Sequence, residues 1–253
     1  MAEFKIEDNV LIKCIVSFDE PVVVIPNSVI KIGDEEFANC NYGNLEEIII
    51  PDSVTEIGEY SFANCETLKK IIIPDSVTKI EDFTFYECYE LTEVIIPDSV
   101  TEIGENAFAF CESLTEITIP NSITKIKRSA FASCKSLKKI RIPDSVTEVG
   151  ERAFEVCESL TEITIPNSVT KIERRLFFFC SSLIEITIPN SVTEIGRMAF
   201  AVCINLKKIT IPDSVTKIEE GAFKDCNQLI IYGTEGSYAQ KYALESDIPF
   251  EAI

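Results

Sequence analysis

A spacing of 23 residues runs through most of this 253-residue chain. Pro51, Pro74, Pro97, Pro120, Pro143, Pro166, Pro189 and Pro212 stand 23 residues apart, and Pro26 precedes them by 25. Nine Phe from Phe37 to Phe223, nine Leu from Leu45 to Leu229 and nine Cys from Cys40 to Cys226 keep step with them. A unit this short cannot enclose its own apolar side chains, so its neighbours must bury them. Fixed periodicity of this length therefore commits a chain to a stacked, quasi-one-dimensional architecture. The first interval is two residues longer than the rest, and Tyr42-Gly43 is the natural place for a bulge that absorbs the excess.

Each unit reads as a physical sequence of elements. Leu114-Thr-Glu-Ile-Thr-Ile alternates apolar and polar residues, which predicts a short strand with one buried face. Pro120 has no N–H to donate and ends the strand. Asn or Asp and then Ser follow, which favour turns, and the Ser column is placed to satisfy buried turn amides. Val-Thr-x-Ile predicts a second, minor strand. Ala-Phe-x-x-Cys sets Phe and Cys three apart, as one turn of 3₁₀ or α structure does. The inward set is Leu, Ile, Ile, Val, Ile, Phe and Cys.

The signature Leu-x-x-Ile-x-Ile-Pro-x-Ser-Val-Thr-x-Ile-Gly-x-x-Ala-Phe-x-x-Cys, carried with small changes from about Pro26 to Tyr232, resembles the BspA-like leucine-rich repeats. The resemblance implies an arc with a parallel sheet on its inner side. It also implies an interaction or adhesin role at a cell surface or outside the cell. The expected fold is a β-rich solenoid with that inner sheet, short second strands, 3₁₀ or α turns elsewhere, and terminal caps.

One domain is expected, with a cap over 1–20, repeats over 21–232 and a second cap over 233–253. Phe4–Ile6 and Val10–Ile12 flank Glu7-Asp8-Asn9 as a hairpin. Ser237 can N-cap a helix from Tyr238 to about Leu244, ended by Pro249. A superperiod of two repeats lies over the basic one. Glu56, Lys79, Glu102, Lys125, Glu148, Lys171, Glu194 and Lys217 alternate in sign, which sets opposite charges side by side on stacked neighbours.

Composition narrows the function. The chain has no His, which excludes imidazole catalysis and His-ligated metals. A net charge of −19 argues against a nucleic-acid partner. The ten Cys form mostly one core column rather than disulfide or zinc pairs, so reduced thiols are expected and no cofactor is. The Asp52, Asp75, Asp98 column is a weak calcium pattern, because other units carry Asn there. No apolar stretch is long enough to cross a membrane, and the N-terminus has no signal-peptide pattern, so the chain as written reads as soluble and unexported.

What remains is binding. Outward strand positions give an apolar column, Ile49, Ile72 and Ile95, a candidate contact for a protein or peptide. Residues 121–143 hold seven of the 23 basic residues and no acid, and Lys139 and Arg141 face outward there as a candidate anion contact. Excess aromatics before the Cys column, Phe110, Phe178 and Phe179, with Tyr86 beside them, mark a third candidate on the flank. The expected function is a non-enzymatic, monomeric interaction scaffold, adhesin-like by resemblance, without membrane insertion. A carbohydrate-binding or calcium-dependent module and a structural spacer without a ligand are the alternatives.

Overall fold

The computed structural model describes residues 2–16, 20–40 and 44–253. Tyr42 and Gly43, the expected bulge, lie outside the described residues. All but one of the Leu-x-x-Ile-x-Ile segments become three-residue strands, as at Glu47–Ile49, Lys70–Ile72, Glu93–Ile95, Lys139–Arg141 and Glu162–Thr164. These strands pair in parallel, one repeat apart and in register: Lys70 faces Glu93, Ile72 faces Ile95, and Arg141 faces Thr164. At Glu116 the ladder thins to a single bridge with Lys139. The middle residue of each strand is buried while its two neighbours point to solvent, the alternation a pleated strand imposes. Two-residue second strands, among them Lys79–Ile80, Glu102–Ile103 and Lys125–Ile126, pair in parallel along another wall.

Between the walls one hydrophobic core runs from Leu11 to Ala243. The Phe column is its spine. Successive rings from Phe37 to Phe223 stack with centroids 5.2 to 5.8 Å apart. All ten Cys are free thiols, and only Cys14 is not fully buried. From Cys65 to Cys226 each thiol donates to the carbonyl of the Phe one repeat earlier, at 3.0 to 3.3 Å. The Cys column therefore fills space and satisfies a buried acceptor at the same time.

Two local expectations change. The Ser hydroxyls do not serve turn amides; they donate to carbonyls of the preceding repeat, as Ser99 does to Val77 at 2.6 Å and Ser145 to Ile123 at 2.7 Å. A hydroxyl can donate, and at this turn the carbonyl is the group left without an N–H. The segment before Cys is a run of overlapping turns rather than a helical turn. Ala107 donates to Gly104, Ala109 to Asn106 and Cys111 to Phe108 at 3.1 to 3.4 Å. Asn106 and Phe110, third residues of the first and last turn, have φ of 53° and 63°, as type II turns demand. The N–H groups of Asn106, Phe108 and Phe110 are thereby turned sideways, onto carbonyls of the next repeat at 2.8 to 3.0 Å. A helix would direct those donors along its own axis. The turns make this flank a further inter-repeat ladder.

The caps follow the sequence. Strands β1 (Glu3–Glu7) and β2 (Val10–Ile15) form an antiparallel hairpin, with Asp8 and Asn9 at positive φ in the turn. β2 covers the second-strand wall, Leu11 pairing with Ile32. At the other end helix α1 (Tyr238–Glu245) is capped by Ser237, whose hydroxyl accepts from the N–H of Gln240 at 3.3 Å. The sequence does not announce the last strand, Phe250–Ala252, which pairs with Ile230–Gly233 beyond the final repeat.

Candidate interaction surface

The solvent face of the three-residue strands carries two columns of side chains. The column nearest Pro is the apolar one. Ile49, Ile72 and Ile95 are 45, 44 and 46% exposed, large values for aliphatic side chains in regular strands. Val24, 58% exposed, pairs with Ile49 and extends the column to four adjacent rungs. Sequence reasoning missed Val24, although it stands two residues before Pro26 just as Ile49 stands two before Pro51. Thr118, Arg141, Thr164 and Thr187 continue the line beyond Ile95.

Acidic groups border this column. Glu47, Glu93 and Glu116 lie on one side, and the turn residues Asp52, Asp75 and Asp98 on the other. Among the described residues Glu93 has Lys70 as an ion-pair partner at 3.2 Å, and the other five make no ion pair. No group of three Asp, Glu or Cys among the described residues is arranged to hold a metal ion. Two open grooves of about 500 and 600 Å³ lie further along the same face. The first is lined by Thr118, Lys139, Arg141 and Thr164 among others, the second by Thr164, Ile184, Thr187 and Lys208.

The basic island is largely tied down. Lys125 pairs with Glu148, Lys127 with Glu102, Arg128 with Glu105, Lys135 with Glu112 and Lys139 with Glu162, at 2.7 to 3.9 Å. The hydrogen bond that the Lys139 ammonium donates to Glu162 holds it above its ordinary pKa. Lys138 and Arg141 form no ion pair among the described residues, and Arg141 is exposed between two threonines. Lys139 and Arg141 thus share a strand, but of the two cations only Arg141 is without an ion-pair partner among the described residues.

The flank aromatics fall into two groups. Phe110 joins a stack that the sequence only half revealed: Tyr60 lies on Phe83 with centroids 4.5 Å apart, Phe83 meets Tyr86 edge-on, and Tyr86 meets Phe110 edge-on at 5.6 Å. Burial, helped by a hydrogen bond to Glu87, pushes the Tyr86 phenol up to about 12. Phe178 and Phe179 lie three repeats further on. Arg175 covers the Phe178 ring at 4.0 Å, while Phe179 is exposed. All these side chains are half-buried or better except Phe179, and most of their faces are taken by one another.

Comparison with known proteins fits this geometry. The model of the BspA-type leucine rich repeat region matches residues 5–135 and 102–230, with six copies. A leucine-rich repeat protein of Bacteroides ovatus is 27% identical, with a TM-score of 0.72 over 100% of this chain and 75% of that one. A leucine rich cell surface protein of Faecalibacterium prausnitzii is 28% identical over 96% of this chain and 97% of its own, with a TM-score of 0.51. A leucine-rich repeat protein of T. pallidum is 25% identical over 81 and 87% of the two chains, with a TM-score of 0.55. No curated protein matches the chain.

Proposed function

Because this chain belongs to the BspA-type leucine-rich-repeat family, whose model spans most of its length, we propose that it is a non-enzymatic scaffold that binds a protein or peptide on the solvent face of its three-residue strands. The observation that carries this reading is the column Val24, Ile49, Ile72 and Ile95. Four aliphatic side chains stand about half exposed on adjacent rungs of a rigid sheet, where nothing in the fold requires them. An apolar patch kept on a rigid, otherwise polar face is a contact surface in waiting. The exposed Phe179 and the half-buried Phe110 and Phe178 form a secondary, weaker surface, because Arg175 and neighbouring rings occupy most of their area. A cell-surface or secreted, adhesin-like setting is supported by the relative described as a leucine rich cell surface protein. Selection from a displayed random-peptide library tests the reading. Enriched peptides should lose binding to the I49S/I72S/I95S variant and keep it with F178S/F179S. The opposite pattern moves the site to the flank. Failure to enrich any peptide removes the strand face as a binding surface.

A further inference from the structure

We infer that the strand face of the first repeats receives a basic amphipathic helix, seated along the solenoid axis with its C-terminal end at Arg141. This rests on the strand-face reading and specifies its occupant. Rungs of a sheet are spaced by about 4.8 Å, so the four aliphatic positions from Val24 to Ile95 span about 14 Å. A helix presents the same face every turn, about 5.4 Å, and drifts by only about 2 Å over those rungs. An extended chain presents the same face every second residue, about 6.6 Å, and falls more than one rung out of step. The aliphatic spacing therefore matches a helical stripe at i, i+4, i+7 and i+11.

Charge selects the flanks of that helix. The aliphatic column runs between Glu47, Lys70, Glu93 and, one rung beyond it, Glu116 on one side and Asp52, Asp75 and Asp98 on the other; Lys70 is paired with Glu93, and the other five acids have no ion-pair partner among the described residues. Lys or Arg beside the apolar stripe would meet them. Arg141 sets the polarity. It lies five rungs beyond Val24, about 24 Å along the axis. It is exposed, has no ion-pair partner among the described residues, and sits between Thr118 and Thr164 in an open groove that Glu93, Glu116 and the Lys139–Glu162 pair also line. A helix C-terminus carries partial negative charge and, with an acidic residue near i+18, offers that guanidinium its missing partner.

The test uses a synthetic 19-residue peptide with Leu at positions 1, 5, 8 and 12, Lys at the flanking positions and Glu as its last residue. Three control peptides accompany it: one of scrambled sequence, one with the flanking Lys changed to Glu, and one with Pro at position 10. Fluorescence anisotropy reads binding to the whole chain, and circular dichroism reads peptide helicity. The parent peptide should bind and gain helicity. The Lys-to-Glu peptide should fail to bind unaltered protein. I49S/I72S should weaken binding by about ten- to a hundredfold, since each half-exposed Ile contributes about a factor of three to ten when covered. R141E should weaken the parent peptide more than a version ending in Lys instead of Glu. Equal binding of the scrambled peptide, equal binding to I49S/I72S, or no binding at all overturns the inference. Equal or better binding of the Pro peptide also overturns it, but leaves the strand face intact as a site for an extended segment.

Discussion

Replacing Val156 and Val202 by Asn should stabilise this protein, although both changes put an amide where an aliphatic side chain stood. Val156 and Val202 have φ of 60° and 63°. They occupy the left-handed column that also holds Asn39 and Asn64, at φ 59° and 56°. The left-handed conformation costs an L residue about 1–2 kcal/mol, and Asn much less. A β-branched residue is among the worst placed there. Against that gain stands lost burial. Both Val are half-buried, so about half of the ~1.5 kcal/mol of a fully buried Val is forfeited. The net gain is then about 0.5–1 kcal/mol per site. The two positions lie two rungs apart, about 10 Å, so the effects should nearly add. The N–H of each is held by the next repeat, Val156 on Phe178 at 2.8 Å and Val202 on Lys224 at 2.7 Å, so the backbone cannot relax to negative φ without breaking the ladder. Thermal unfolding followed by circular dichroism should show the double variant melting about 2–8 °C higher, the shift that 1–2 kcal/mol produces in a domain of this size. Asn64→Val, which also removes the Asn64–Asn39 side-chain hydrogen bond, should do the reverse. A double variant that melts at or below the parent temperature, with Asn64→Val neutral, would refute the argument.

Three further outcomes follow from the ladders. Gly104→Ala should cost about 1–3 kcal/mol in urea unfolding, because its Cβ would lie 2.5 Å from the Glu81 carbonyl carbon, which is backbone and cannot step aside; Lys127→Ala, at the equivalent position, should be near neutral. Ser145→Ala should cost about 0.5–1.5 kcal/mol by leaving the Ile123 carbonyl short of a donor, whereas Ser214→Ala should cost little, since the buried Ser214 hydroxyl has no hydrogen-bond partner among the described residues. Burial pushes the Cys88 and Cys180 thiols up to about 12, above their value in the unfolded chain. The folded state therefore keeps protons that the unfolded state releases: this contribution is complete below the unfolded pKa of about 8.5 and is lost as pH rises from there towards 12. Melting temperature should fall steadily above pH 9, less steeply in Cys88→Ser, and a profile flat to pH 11 contradicts the assignment.

The repeat, both walls, the buried columns and both caps are legible in the sequence because each rests on side-chain type at a fixed interval. Ile48 and Ile71 are inside and Ile49 and Ile72 outside for the simple reason that strand residues alternate. What escapes is of another kind. Val24 belongs to the apolar column, but its strand, Val22–Val24, lacks the Leu-x-x-Ile opening that identifies the others. The left-handed turns of the repeats are signalled at Asn39, Asn64, Asn106, Gly221 and Asp225; Phe110, Arg152, Val156 and Val202 adopt the same φ because their N–H groups are held by the next repeat. The freedom of Arg141 depends on which acid each neighbouring base can reach, and five of the seven bases in its repeat find one. The strand Phe250–Ala252 is too short to declare itself, coming straight after Pro249, and exists because Ile231 and Tyr232 offer it a sheet edge.

Near-identical repeats raise a problem of register, since every unit offers much the same faces to every other. The superperiod of two answers it. Lys79 faces Glu102, which in turn faces Lys125, and Lys125 faces Glu148. Ion pairs join the column along its length: Lys31 to Glu56 at 2.9 Å, Lys79 to Glu102 at 3.7 Å, Lys125 to Glu148 at 3.5 Å and Lys217 to Glu194 at 2.7 Å. Each pair is exposed or half-exposed and adds little by itself. Their value lies in what they oppose. A stack that skipped one repeat would set Lys79 beside Lys125, or Glu102 beside Glu148, and like charges directly opposite are destabilising. The penalty falls at the point of the slip and vanishes only when two repeats are skipped together. That larger error must loop out 46 residues, with two Phe rings and two Cys of the core column exposed. The alternation thus converts a cheap mistake into an expensive one. It leaves the aliphatic and acidic positions of the opposite wall free to be set by what they bind.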